Sequence, residues 1–159
     1  ELARRSIVVP IKWGVRYINK QSAIQADPYL IWGRYFDWWE YAFGGISMAY
    51  EYDFTTQVPE RYTIYNTKIS GVKTIDGVYK YRFKKVRPSF FYWIADIDVR
   101  WESIQVLSPE RLLIQMLREW ASFEFLEVLP STIDKKKLFS LAWEYASRRI
   151  LSEITDRYG

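Results

Sequence analysis

The chain contains no cysteine and no histidine. These absences exclude a disulfide framework, a thiolate nucleophile, a Cys/His zinc site, a Ser–His–Asp triad and any imidazole base. Any catalysis would rest on carboxylates, Lys, Tyr or Ser. Long apolar runs are absent too. The longest uncharged stretch is Tyr41–Tyr50, ten residues, against the roughly 20 that a membrane-spanning helix needs. Arg4 and Arg5 are followed only by Ser-Ile-Val-Val-Pro, too short for the apolar core of a secretory signal. No membrane partner is expected, and the missing cysteine fits a reducing, cytoplasmic setting. What the chain has in excess is rings: 8 Trp, 13 Tyr and 9 Phe, 19% of its 159 residues, which promise an aromatic core. The net charge of +4 is mildly basic and favours an acidic or polyanionic partner.

Local patterns divide the chain. Residues 6–18 read as a small hairpin bent at Gly14, and residues 19–26 as a linker. Asp27-Pro28 is a helix start, followed by Ile31, Tyr35 and Trp38 at i, i+4, i+7. Gly44-Gly45 ends that pattern, and a short helix is expected over about 46–52. The middle is β. Residues 61–66 and 79–86 alternate, and Asp76-Gly77 marks a turn before the second run. Residues 90–102 read as one long strand, with Asp96, Asp98, Arg100 and Glu102 on one face. Ser108-Pro109-Glu110 caps a helix running to about Trp120, with Leu113, Met116, Leu117 and Trp120 turned inward. From about 134 to 157, Phe139, Trp143, Ala146, Ile150 and Ile154 keep a helical period that fits one long helix or two shorter ones. The expected class is α+β: a largely antiparallel sheet flanked by helices, with an N-terminal wing-like β-hairpin and a helical C-terminal third.

Charge supplies the candidate sites. Lys80, Arg82 and Lys84 share one strand face, opposite Tyr79, Tyr81 and Phe83. They offer either a surface for an acidic partner or a row of ion pairs with Asp96, Asp98 and Glu102 on a neighbouring strand. Asp96 and Asp98 stand roughly 7 Å apart on one face, a spacing that can hold Mg²⁺. Arg4, Arg5, Lys12 and Arg16 surround the first hairpin, where they can touch a DNA backbone or form an ordinary charged terminus. Gly44-Gly45-Ile46-Ser47 opens a helix and can cradle an anion. Lys135-Lys136-Lys137 reads as a solvated first turn. Arg111 is the one member of Ser108-Pro109-Glu110-Arg111 that capping leaves unexplained; it pairs with an acid on the sheet or faces a partner.

Three segments together resemble a known family. Tyr41-Ala-Phe-Gly-Gly-Ile-Ser47-Met-Ala-Tyr-Glu-Tyr-Asp53-Phe-Thr-Thr-Gln57-Val-Pro59 looks like the Y-x-S/G-G-x-S-A-L-x-x-x-G-L-T-x-Q-x-P stretch of AbiEi-type antitoxins of type IV toxin–antitoxin, or abortive-infection, systems. Val106-Leu-Ser108-Pro109-Glu110-Arg111-Leu-Leu-Ile-Gln115-Met-Leu117 resembles that family's V-A-S-P-E-R-T-L-L-D-L-L helix start. Residues 6–18 resemble the wing that closes its N-terminal winged helix. Met48-Ala49 stands where the family has Ala-Leu, Asp53 where it has Gly, and Gln115 where it has Asp. The helix-turn-helix that precedes the wing in the family is missing from this sequence.

The resemblance implies a wing remnant over residues 1–19 and an antitoxin-like α+β domain over 27–159. It implies a non-enzymatic antitoxin and transcriptional regulator in antiviral defence, without cofactor or metal. Its counterpart would be a nucleotidyltransferase-type toxin, opposed without a stable complex. Arg4, Arg5, Lys12 and Arg16 would touch DNA, weakly through this chain alone, and Lys80, Arg82, Lys84 and Arg111 are the partner-facing candidates. The alternative from the residues is a metal-dependent nucleotidyltransferase or nuclease domain using Asp96 and Asp98.

Overall fold

The computed structural model describes residues 7–10, 16–19, 27–33, 36, 40–75, 79–99, 102–120 and 129–159. Strands β1 (Ile7–Pro10) and β2 (Arg16–Asn19) pair antiparallel as a separate two-stranded sheet. The remaining strands, β3 (Tyr41–Gly44), β4 (Tyr62–Asn66), β5 (Gly71–Ile75), β6 (Tyr79–Lys85), β7 (Ile94–Val99) and β8 (Glu102–Leu107), form one sheet in the order β5-β6-β4-β3-β8-β7. β3–β8 and β4–β6 run parallel and the other pairs antiparallel. The class is therefore α+β with a mixed, mostly antiparallel sheet. The helices are α1 (Leu30–Gly33), α2 (Gly45–Glu51), α3 (Pro109–Trp120), α4 (Lys135–Tyr145) and α5 (Arg148–Tyr158).

The rings build one side of the core. Tyr41, Phe43, Ile64, Tyr81 and Phe83 alternate onto a single face of the sheet, where Tyr29, Trp32 and Phe36 cover them. Trp32 meets Phe83 edge-on with centroids 4.7 Å apart, and Phe36 stacks on Tyr41 at 5.3 Å. Of the helix expected after Asp27, one turn lies within the described residues. Asp27 starts it, its Oδ1 accepting from the Tyr29 backbone N–H at 2.9 Å. Tyr35 and Trp38 fall outside the described residues. β4 is central, so Thr63, Ile64, Tyr65 and Asn66 are buried whichever face they take.

Residues 90–102 do not form one strand. A 3-10 turn at Pro88–Phe90 precedes β7, and β8 folds back antiparallel upon it, with Val99 opposite Glu102. The fold-back puts Glu102 on the face of Val99, away from Asp96 and Asp98. The C-terminal stripe divides in the same manner. α4 and α5 are separate helices, the second started by Ser147, whose Oγ accepts from the Ile150 N–H at 3.4 Å. The break shifts the phase: Leu138, Leu141 and Ala142 turn inward, and Trp143 is left 80% exposed. Lys135, Lys136 and Lys137 are exposed in the first turn of α4, as expected.

Glycine matters at one junction. Gly45 has φ +68°, and a Cβ there would lie 2.7 Å from Thr63 Oγ1. A Cβ on Gly44 would lie 2.7 Å from the Tyr65 ring. The pair lets β3 turn tightly into α2 against β4, a packing role.

Candidate functional site

Helix α3 carries two stripes. Leu112, Leu113, Ile114 and Leu117 are buried apolar residues, and Met116 is half-buried. Arg111, Gln115 and Glu119 recur at i, i+4, i+8 and so stack along one line of the helix. The helix start holds them in place. Ser108 Oγ accepts from the Arg111 N–H at 3.3 Å, and the Ser108 carbonyl from the Leu112 N–H at 2.8 Å. Glu110 is buried, and its Oε1 accepts from the Asp134 N–H at 2.9 Å, tying the start of α3 to the start of α4.

The polar stripe is a connected chain. Arg111 is fully buried between two rings, its guanidinium carbon 4.5 Å from the Phe90 centroid and 4.4 Å from that of Tyr92. Its Nη1 donates to Gln115 Oε1 at 2.9 Å, and Gln115 Nε2 donates to Glu119 Oε1 at 2.6 Å. Glu119 also accepts from the Tyr65 hydroxyl at 2.7 Å and pairs with Lys84 through Oε2. The Nε and Nη2 of Arg111 have no hydrogen-bond partner. Burial therefore works against the guanidinium and lowers its pKa, with Arg118 pushing the same way; the group still stays charged at neutral pH. Burial pushes the Glu119 carboxyl up, but hydrogen bonds from Lys84, Gln115 and Tyr65 outweigh it and hold the pKa below the usual value. Burial and the adjacent Glu119 charge raise the Tyr65 phenol well above its ordinary value.

Between this stripe and β6 lies a cleft of about 680 Å³. Tyr65 and Phe90 form its apolar part, Gln115 and Glu119 one polar wall, and Arg82, Lys84 and Arg118 its cationic lining; Phe83 and Lys85 also border it, from strand positions whose side chains alternate to the opposite face of the sheet. Val72 of β5 stands at its edge, 64% exposed. Lys80 and Arg82 are exposed on the same sheet face.

The topology overturns the ion-pair row expected between β6 and β7. Three strands, β4, β3 and β8, separate them. Four inter-strand steps span roughly 19 Å, about twice the screening length at physiological salt. Lys84 finds its acid on α3 instead. Asp96 and Asp98 are exposed on the far edge strand, and among the described residues no three potential metal ligands cluster. Arg111 is not brought together with Lys80 and Arg82 on a surface but is drawn inside. Arg16 lies in β2 opposite Pro10; Arg4, Arg5 and Lys12 lie outside the described residues. Glu119, Gln115 and Tyr65 escaped the sequence reading. The signal for the first two was present: with Arg111 they are polar residues recurring every four positions along the helix. Tyr65 carried none, because only the fold sets β4 beneath α3.

No helix among the described residues is long and apolar enough to cross a membrane. No family model matches the sequence, and a search of curated proteins found no match.

Proposed function

We propose that this chain is the antitoxin-type regulatory part of a toxin–antitoxin or phage-defence module, acting in the cytoplasm and without catalysis of its own. The observation that carries this reading is the way two motif segments, distant in sequence, fold as one unit. β3 of the first segment pairs with β8, which leads directly into the second, and α2 packs on α3. The departures from the family pattern are accommodated within that unit. Asp53 follows the end of α2 with φ +58°, a left-handed position that suits the family's glycine and that Asp tolerates better than most residues. The Phe54 N–H closes the turn onto the Ala49 carbonyl at 2.7 Å. Gln115 can accept from Arg111 and donate to Glu119 at once, so the acid that the family pattern puts at position 115 is replaced by one a helical turn later.

In this reading the β1–β2 ribbon is the wing of a winged helix, and Arg4, Arg5, Lys12 and Arg16 are the residues that would contact the DNA backbone. The exposed Lys80 and Arg82 form the partner-facing part of the domain. Lys84 and Arg111 support that surface from beneath, through Glu119 and Gln115.

The test is co-expression with a nucleotidyltransferase-type toxin of a type IV toxin–antitoxin system. Growth should be restored without the two proteins co-purifying. Reversing the charge of Lys80 and Arg82 should abolish rescue at matched protein levels with an unchanged circular dichroism spectrum. Growth arrest that persists despite abundant folded chain would refute the reading. Metal-dependent turnover lost in Asp96→Asn with Asp98→Asn would replace it with the nuclease or nucleotidyltransferase alternative.

A further inference from the structure

We propose that the cleft between β6 and α3 is an anion site for a small polyphosphate-bearing ligand, engaged by Arg82 and Arg118, with Lys84 held in reserve by Glu119. Its chemistry is independent of antitoxin activity. The cleft volume of about 680 Å³ falls within the span of roughly 300–1,000 Å³ common for small-molecule sites. Three cations, Arg82, Lys84 and Arg118, line it against the carboxylate of Glu119, the one acid among its described lining residues. So many cations around one cavity call for several negative charges within a few ångströms of one another. A polyphosphate carries these and a lone carboxylate does not, and the Arg82 guanidinium matches two phosphate oxygens at once.

A second observation comes from beneath the cleft. Arg111 is completely buried, with Nε and Nη2 unpartnered, and its one side-chain hydrogen bond goes to Gln115, a lining residue. Glu119 is the acid nearest along this chain of hydrogen bonds, and Lys84 already neutralises it. Among the described residues the neighbourhood thus holds more buried positive charge than its carboxylate answers, an arrangement that costs stability unless an anion completes it. An anion in the cleft supplies that counter-charge. The half-buried Phe90, stacked on Tyr65 with centroids 4.6 Å apart, gives the cleft an apolar side. The polyphosphate can come from a nucleotide or stand alone.

The test is a fluorescence titration of the 159-residue chain with N-methylanthraniloyl-ATP at low ionic strength. Saturable binding is expected. Arg82→Glu with Arg118→Glu, both exposed positions, should weaken it by at least about tenfold while the circular dichroism spectrum is unchanged. Glu119→Gln frees Lys84 and should tighten binding about threefold, a sign opposite to that of structural damage. Competition identifies the source. Displacement by inorganic tripolyphosphate as readily as by ATP supports a bare polyphosphate, and a clear preference for ATP supports a nucleotide. No saturable binding up to about 1 mM probe, no effect of the double reversal, weaker binding by a folded Glu119→Gln variant, or binding confined to single-stranded RNA would each overturn the proposal.

Discussion

Replacing Arg111 tests how its charge and its shape divide the work. The side chain is fully buried, sandwiched by Phe90 and Tyr92, and makes one side-chain hydrogen bond, to Gln115. Arg111→Ala removes the stacking, opens a cavity between the rings and strands Gln115 Oε1. Large-to-small changes at buried sites of this kind cost about 3–5 kcal/mol. Arg111→Met keeps most of the volume between the rings. It loses one hydrogen bond, about 1 kcal/mol, and two cation–π contacts, but removes a charge whose Nε and Nη2 are unpartnered. Replacing poorly compensated buried charge by an apolar residue of similar size is often neutral or stabilising, so Met should fall within about 1 kcal/mol of the parent. Arg111→Lys keeps the charge but loses the planar stack and the fork, and should lie between Ala and Met. Urea unfolding followed by circular dichroism checks the order. At about 1–3 kcal/mol per molar urea, Ala should lower the midpoint by roughly 2 M and Met by less than half of that. If Met is as damaging as Ala, the charge holds the site and the reasoning fails. If Lys equals the parent, planarity is irrelevant and the stacking account fails.

Further outcomes follow from the same structure. Leu113→Ala, at a fully buried position of α3, should cost roughly 2–5 kcal/mol in the same unfolding assay. Asp53→Gly should raise stability by roughly 0.5–1 kcal/mol by relieving the left-handed backbone, measured as a higher thermal midpoint. Gly45→Ala should lower it by more than about 2 kcal/mol, since the added Cβ meets Thr63 in a strained conformation. The Glu119 carboxyl titrates below its ordinary value of 4.5 in the folded chain. Its contribution is complete above that value and is lost as pH falls through the lower folded pKa. The stability difference between the parent and Glu119→Gln should therefore be largest near neutrality and shrink on acidification, measured by urea midpoints between pH 6 and about pH 3.

The sequence determined the local elements whose causes are local. Ser108-Pro109 starts a helix because a hydroxyl and a missing N–H meet the needs of a first turn. Tyr79, Tyr81 and Phe83 face inward because strand side chains alternate. Gly44-Gly45 marks a tight junction by composition alone. Strand order is a different matter. Lys80, Arg82 and Lys84 alternate identically whether β7 or β4 lies beside them, so no local pattern could say that the acids of β7 sit across the sheet. The hairpin between β7 and β8 was hidden in residues 90–102 because both arms are β-rich, and it alone decided that Glu102 faces away from Asp96 and Asp98. Arg111 shows the same division. Its place on the helix was legible, but its burial came from Phe90 and Tyr92, brought over it by a 3-10 turn and the entry to β7. Glu119 became the hub of the cleft for a reason no spacing encodes: the packing of α3 across β4 and β6 brought Tyr65 and Lys84 to the same carboxylate.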